Sequence, residues 1–159
     1  EGIEQHIQNL TDFDHIRLLE AEEGHIQLEI EFTEKMLNHY GAVHGGVLYT
    51  FCDMASGMTA YSFGVTNVTL SGSINYCRPG RPGKHILVCN TVHKGRTTIV
   101  QSVSISTPEE QLLCTAQMTM YVTGQVESGK EDGKQKNCFS SSFLQFRHRI
   151  FRSRSSSGS

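Results

Sequence analysis

The chain has 159 residues, a formal net charge of -2, 37% hydrophobic residues and a mean hydropathy of -0.32. That is the size of one domain with a true core. It holds no apolar run of membrane-spanning length and opens on no signal-peptide pattern, so neither a membrane span nor secretion is expected.

Residues 1–14 mix polar side chains with Ile3, Ile7 and Leu10 at loose helical spacing, which reads as a short helix or arm. His15 to Ala21 and His25 to Phe32 read as strands around the turn Glu22-Glu23-Gly24. In the second strand Ile26, Leu28, Ile30 and Phe32 alternate with Gln27, Glu29 and Glu31, the mark of a sheet with one wet face.

Asn38 to Gly64 is the centre of the chain. It begins as a turn carrying Asn38, Gly41 and Gly45-Gly46, then runs almost wholly apolar from Val47 to Phe63. Apolar residues fall all round a helical wheel, so a helix buried on most sides is expected. Its one charge is Asp53, with no Lys, Arg or His three or four residues away. A buried carboxylate costs several kcal/mol unless paired, which makes Asp53 a candidate catalytic group. The first N–H groups of a helix lack internal partners and carry partial positive charge, and glycine lets a ligand approach them. His44-Gly45-Gly46 therefore reads as a site for an oxygen that is or becomes negative. Gly45 and Asp53 lie about 12 Å apart along a helix, too far to serve one reacting carbon within one chain. If both act on it, Asp53 comes from a second copy. The plainer readings are a structural role for Asp53, a loop-bracing His44, a turn-forming Asn38, and Gly45-Gly46 as close-packing glycines.

Strand patterns resume at Val68 to Tyr76, stop at Arg78-Pro79-Gly80-Arg81-Pro82-Gly83, and continue through Ile86–His93, Thr97–Ser106 and Leu112–Val122. The sum is an α+β meander of strands broken once by a long helix. Arg78, Arg81, Lys84, Lys94 and Arg96 fall in a stretch without acids, which suits a ligand bearing a few phosphates or a merely solvated hairpin end. The first 123 residues net -6, so a nucleic-acid partner is not expected. Residues 124–159 carry seven Lys/Arg against three Asp/Glu and read as a Ser/Arg-rich disordered or adventitious tail, or as a basic amphipathic helix near Phe143–Phe151. Cys52, Cys77, Cys89 and Cys114 sit in apolar helix or strand positions, as buried free thiols would in a reducing compartment, cytoplasmic or mitochondrial. Scattered His without a Cys/His knot give no reason to expect a metal site.

The order N-x-x-G-x-x-H-G-G (Asn38 to Gly46), Asp53 nine residues after His44, then Y-C-R-P-G and K-G-R-T, resembles the hot-dog-fold acyl-CoA thioesterases over residues 15–123. Within them it resembles the phenylacetic-acid-degradation group. The resemblance implies a hot-dog fold, an antiparallel sheet wrapped around one long central helix. It also implies a homodimer and a dimer-of-dimers tetramer, with 1–14 an arm and 124–159 a tail. It implies hydrolysis of an acyl- or aryl-acyl-CoA, with coenzyme A part of the substrate and no separate cofactor. Gly45 would give its N–H to the thioester carbonyl. Asp53 of the other chain would be nucleophile or base, Asn38 would place water or thioester, and His44 would support the loop. Thr69 would position the water, or Ser71 or Ser73 if the strand register differs. Arg78, Lys94 and Arg96 would lie near the coenzyme A phosphates. Gly46 and Tyr49 would contact substrate, with Met54, Met58 and Tyr61 as further acyl-pocket candidates. A non-hydrolytic acyl-CoA-binding sensor or scaffold is the alternative function.

Overall fold

A computed structural model describes residues 15–126. The arm at 1–14 and the tail from 127 onward, with Cys138 and the Phe143–Phe151 segment, lie outside the described residues. Strands β1 (Ile16–Glu22) and β2 (His25–Phe32) precede a single 3-10 turn, Glu34–Met36, and the helix α1 (Gly45–Tyr61). Four longer strands follow: β3 (Val65–Tyr76), β4 (Gly83–Lys94), β5 (Thr98–Ser106) and β6 (Leu112–Gln125). They form one antiparallel six-stranded sheet in the order β1-β2-β4-β5-β6-β3.

That order corrects the expected meander. The helix crosses the sheet and delivers β3 to the far edge beside β6, and the proline-bearing loop after Tyr76 brings the chain back to pair β4 with β2. One backbone hydrogen bond ties the returning loop to the segment before the helix: Val43 N donates to Gly80 O at 2.9 Å.

The core lies between α1 and one face of the sheet. Val47, Leu48, Phe51, Cys52, Ala55 and Met58 from the helix meet Leu28, Ile30, Phe32, Leu87, Ile99 and Ile105 from the strands. The alternation read in β2 is present, with Ile26, Leu28, Ile30 and Phe32 all buried. The helix is less enclosed than its composition suggests. Gly46, Tyr49, Thr50, Asp53, Met54, Gly57 and Tyr61 form a partly exposed stripe along it, on the side of β3. Three thiols, Cys52, Cys89 and Cys114, are buried and free, but Cys77 is exposed because it falls just past the end of β3.

The helix also carries an insertion. Ser56 C=O and Ala60 N–H stand four residues apart, and the buried Gln101 side chain from β5 bridges them. With its amide assigned in the orientation that satisfies both groups, it donates to Ser56 O at 2.7 Å and accepts from Ala60 N at 3.1 Å.

Candidate active site at the helix N-terminus and the edge strand

The helix begins two residues earlier than its apolar run because His44 caps it. Gly46 N–H donates to His44 Nδ1 at 3.2 Å, and Val47 N–H and Leu48 N–H both donate to the His44 carbonyl. With His44 N–H donating to Met36 O at 2.9 Å, three of the four N–H groups that lack a helical partner, those of His44, Gly46 and Val47, are satisfied. The Gly45 N–H has no acceptor among the described residues. Because Nδ1 accepts, a neutral His44 carries its proton on Nε2.

Asn38 shapes the approach to this turn. Its Oδ1 accepts from Tyr40 N at 2.9 Å and from Ala42 N at 3.2 Å, while its backbone N–H donates to Ala42 O at 2.8 Å. The side-chain oxygen is thus engaged in its own loop, as the turn-forming reading expects.

Two turns along, Asp53 Oδ1 accepts a hydrogen bond from the Thr69 hydroxyl of β3. The expectation of a helix carboxylate without a partner on its own helix holds, and the partner comes from the edge strand. Asp53 is half-buried in the single chain rather than buried. A β-bulge explains why Thr69, and neither Ser71 nor Ser73, reaches it. Thr69 stands opposite the buried Met120 and Ser71 opposite Thr119, so the register shifts at Leu70. Without that extra residue the three hydroxyls would share one face; with it Thr69 faces the helix and the serines face away.

Between Gly45 and Asp53 sits Tyr49. A Cβ on Gly72 of β3 would lie 2.5 Å from the Tyr49 hydroxyl and would overlap Met118 Sδ, so only glycine lets the tyrosine lie flat on the strand. Beyond it, Tyr76 donates its hydroxyl to Gly45 O at 2.8 Å, and its ring rests on Gly45, where a Cβ would stand 3.1 Å from Cζ. Burial of the hydroxyl, then the Cys114 and Cys52 thiols and Tyr49, push the Tyr76 phenol up, so it remains a donor at neutral pH. Sequence reading gave Tyr76 no role at the site; its signals were its place at the head of Y-C-R-P-G and as an aromatic residue closing a strand against a proline-bearing turn.

The expected cationic patch divides in two. Arg78 lies just past β3 and donates to Leu112 O at 3.4 Å, at the end of the sheet near the helix N-terminus. Lys94 and Arg96 lie at the opposite end of β4, about 36 Å away at strand rise. There they line a cleft of about 450 Å³ with Val65, Gly95, Val122 and Gln125, and Lys94 Nζ stands 5.2 Å from the Phe63 ring centre. Arg81 serves the loop instead, donating to Gly41 O at 3.0 Å. Among the described residues no group of three or more His, Cys, Asp or Glu is placed to hold a metal, and no helix is long and apolar enough to cross a membrane.

Residues 40–114 match the family described as the thioesterase superfamily. An esterase-named protein of Halobacterium salinarum is 31% identical over 109 residues, covering 64% of this chain and 72% of that one. The chain belongs to the thioesterase superfamily and has the hot-dog fold. The Escherichia coli acyl-coenzyme A thioesterase PaaI is 28% identical over 97 residues, 60% of this chain and 69% of that one. Among solved structures, a Streptococcus pneumoniae protein described as a hypothetical thioesterase, with coenzyme A, is 38% identical with a TM-score of 0.70, over 72% of this chain and 94% of that one. Two further structures of that protein carry an aspartate-to-alanine and a threonine-to-alanine substitution.

Proposed function

We propose that this member of the thioesterase superfamily hydrolyses an acyl- or aryl-acyl-CoA to the free acid and coenzyme A, at a site assembled from two copies of the chain. The observation that carries the reading is the pairing of an acceptor-free Gly45 N–H, at a capped helix start, with a helix carboxylate tied to Thr69. Thioester hydrolysis needs both parts. Attack on the carbonyl carbon builds negative charge on its oxygen, and one well-placed N–H stabilises that charge by about 3–4 kcal/mol. Asp53, with Oδ1 held by Thr69, presents Oδ2 either to the carbonyl carbon as nucleophile or to a water as base. On either route the thiolate of coenzyme A leaves and takes up a proton; on the nucleophilic route a water then cleaves the Asp53 acyl anhydride, releasing the free acid and restoring the carboxylate.

The two parts are about 12 Å apart within one chain. A two-fold pairing of copies along the open stripe of α1 and the edge of β3 brings Gly45 of one toward Asp53 of the other. β3 pairs with β6 on one side only, and its open edge carries Val68 at 55% and Leu70 at 60% exposure, an edge of the kind that another strand covers. In such a pair Tyr49 forms a wall of the acyl pocket, and the cleft with Lys94 and Arg96 receives phosphates of the coenzyme. The aspartate and threonine replaced in the S. pneumoniae variants stand sixteen positions apart, the separation of Asp53 and Thr69 here, which supports their joint role.

The test is a panel of aromatic and short- to long-chain acyl-CoAs followed by free-thiol release, with Asp53→Asn alongside. Turnover on at least one substrate, lost in the variant, is expected. A wild-type chain that binds coenzyme A esters yet is inert across the panel would replace hydrolysis with a sensor or scaffold role.

A further inference from the structure

We propose that Tyr76 is a positioning residue for this site, acting through one peptide unit on both the Gly45 donor and His44; the inference rests on the hydrolase reading above. The Gly45–Gly46 peptide is held at both ends. Its carbonyl oxygen accepts from the Tyr76 hydroxyl at 2.8 Å, and its N–H donates to His44 Nδ1 at 3.2 Å. Hydrogen bonds in series polarise one another, so donation to the carbonyl strengthens the N–H that holds the imidazole. The series runs Tyr76 hydroxyl, Gly45–Gly46 peptide, His44 Nδ1, and it leaves the proton of a neutral His44 on Nε2, available to a substrate oxygen.

Steric contact adds to the hydrogen bond. The phenol ring lies so close to Gly45 that any side chain there would press on it at 3.1–3.4 Å. The backbone that carries the ring is anchored in turn, since Tyr76 pairs with Cys114 across β3 and β6 and the next residue's N–H donates to Leu113 O at 2.7 Å. The sheet thereby sets where the first turn of α1 sits, and with it where the Gly45 N–H points. Donor placement at this scale governs rate, because a displacement near 1 Å costs on the order of a hundredfold.

Tyr76→Phe keeps the ring and removes only the hydroxyl. With folding verified by its melting curve, kcat on the best panel substrate is expected to fall about tenfold with KM within about twofold. The Gly46 amide and His44 ring nitrogens are expected to shift in the nitrogen-15 spectrum of the same variant. An unchanged kcat, or a change confined to KM, overturns the proposal. If the wild-type chain hydrolyses no panel member, the hydrolase reading fails, while the spectrum still decides the relay: unmoved Gly46 and His44 signals overturn it, and moved signals carry it as a binding-site brace.

Discussion

The Thr69 hydroxyl donates to Asp53 Oδ1, joining the edge strand β3 to the middle of α1. This bond does two things. It supplies the half-buried carboxylate with its one hydrogen-bond partner among the described residues, and it leaves the other carboxylate oxygen outside that bond. Asp53→Asn is expected to lower kcat by about 10²–10⁴ while leaving the melting temperature near wild type, read from thiol release and calorimetry. Thr69→Ser should hold most of the activity and Thr69→Ala lose about tenfold, since only the latter frees the carboxylate to turn. Equal losses in both Thr69 variants would argue that the methyl group matters and the hydrogen bond does not.

Gly45→Pro isolates the proposed oxyanion donor. Proline is tolerated at the first helical position, and His44 already has φ -58 and ψ 133, the extended backbone that a following proline requires. The substitution deletes the N–H and asks the Tyr76 ring to give by a few tenths of an ångström. Activity should fall by about 10²–10³ with the fold kept. Retention of full kcat would remove Gly45 from the mechanism.

Gly72→Ala tests the packing that seats Tyr49. The added methyl overlaps Met118 Sδ and lies within 2.5 Å of the Tyr49 hydroxyl. A loss of about 1–3 kcal/mol in denaturant unfolding is expected, together with altered preference among acyl groups because Tyr49 must move. A variant as stable as wild type with an unchanged substrate profile would show that the strand yields instead.

Elements with a strong local signal were legible in the sequence, and relationships between distant elements were not. The all-round apolar run gave the helix, the even-spaced Ile26, Leu28, Ile30 and Phe32 gave β2, and the Gly45-Gly46 pair marked the helix start. Asp53 stood out as a charge in an apolar run. The placement of β3 at the far edge was hidden, because strand adjacency in sequence does not dictate adjacency in a sheet once a helix intervenes. The division of Arg78 from Lys94 and Arg96 was hidden for a related reason, since the residues between them form a whole strand. Thr69 emerged over Ser71 and Ser73 only through the bulge at Leu70, which no residue type announces. Gln101, on the same face of β5 as Ile99, Val103 and Ile105, drew no reading from the sequence, yet it is fully buried against the helix at Ser56 and Ala60. Gln101→Leu should therefore cost about 1–3 kcal/mol in unfolding free energy, from two backbone groups left to find new partners.

His85 gives the fold a pH dependence. It is buried, packs against Phe32 with ring centres 4.8 Å apart and planes tilted by 49°, and bonds Gly83 O through Nδ1 at 3.0 Å. Burial lowers its pKa below the ordinary 6.5, opposed by the Gly83 carbonyl and by Glu109. The unfolded chain then binds the proton more readily than the folded one. Its contribution to stability is complete above about pH 6.5 and is lost as pH falls below it. The melting temperature should drop between pH 7 and pH 5, and His85→Phe should flatten that slope. An identical slope in the variant would assign the effect to other groups.

If one site draws Gly45 and Asp53 from different copies, mixing two inactive variants restores activity. Gly45→Pro and Asp53→Asn chains, each inactive alone, are unfolded together at equal amounts and refolded, and thiol release is measured on the best acyl-CoA. Random pairing makes half the dimers mixed, each with one intact site of two, so recovery of about a quarter of wild-type activity is predicted. Mixed dimers verified by mass spectrometry that remain as inactive as either parent would contradict the account and confine the chemistry to a single chain.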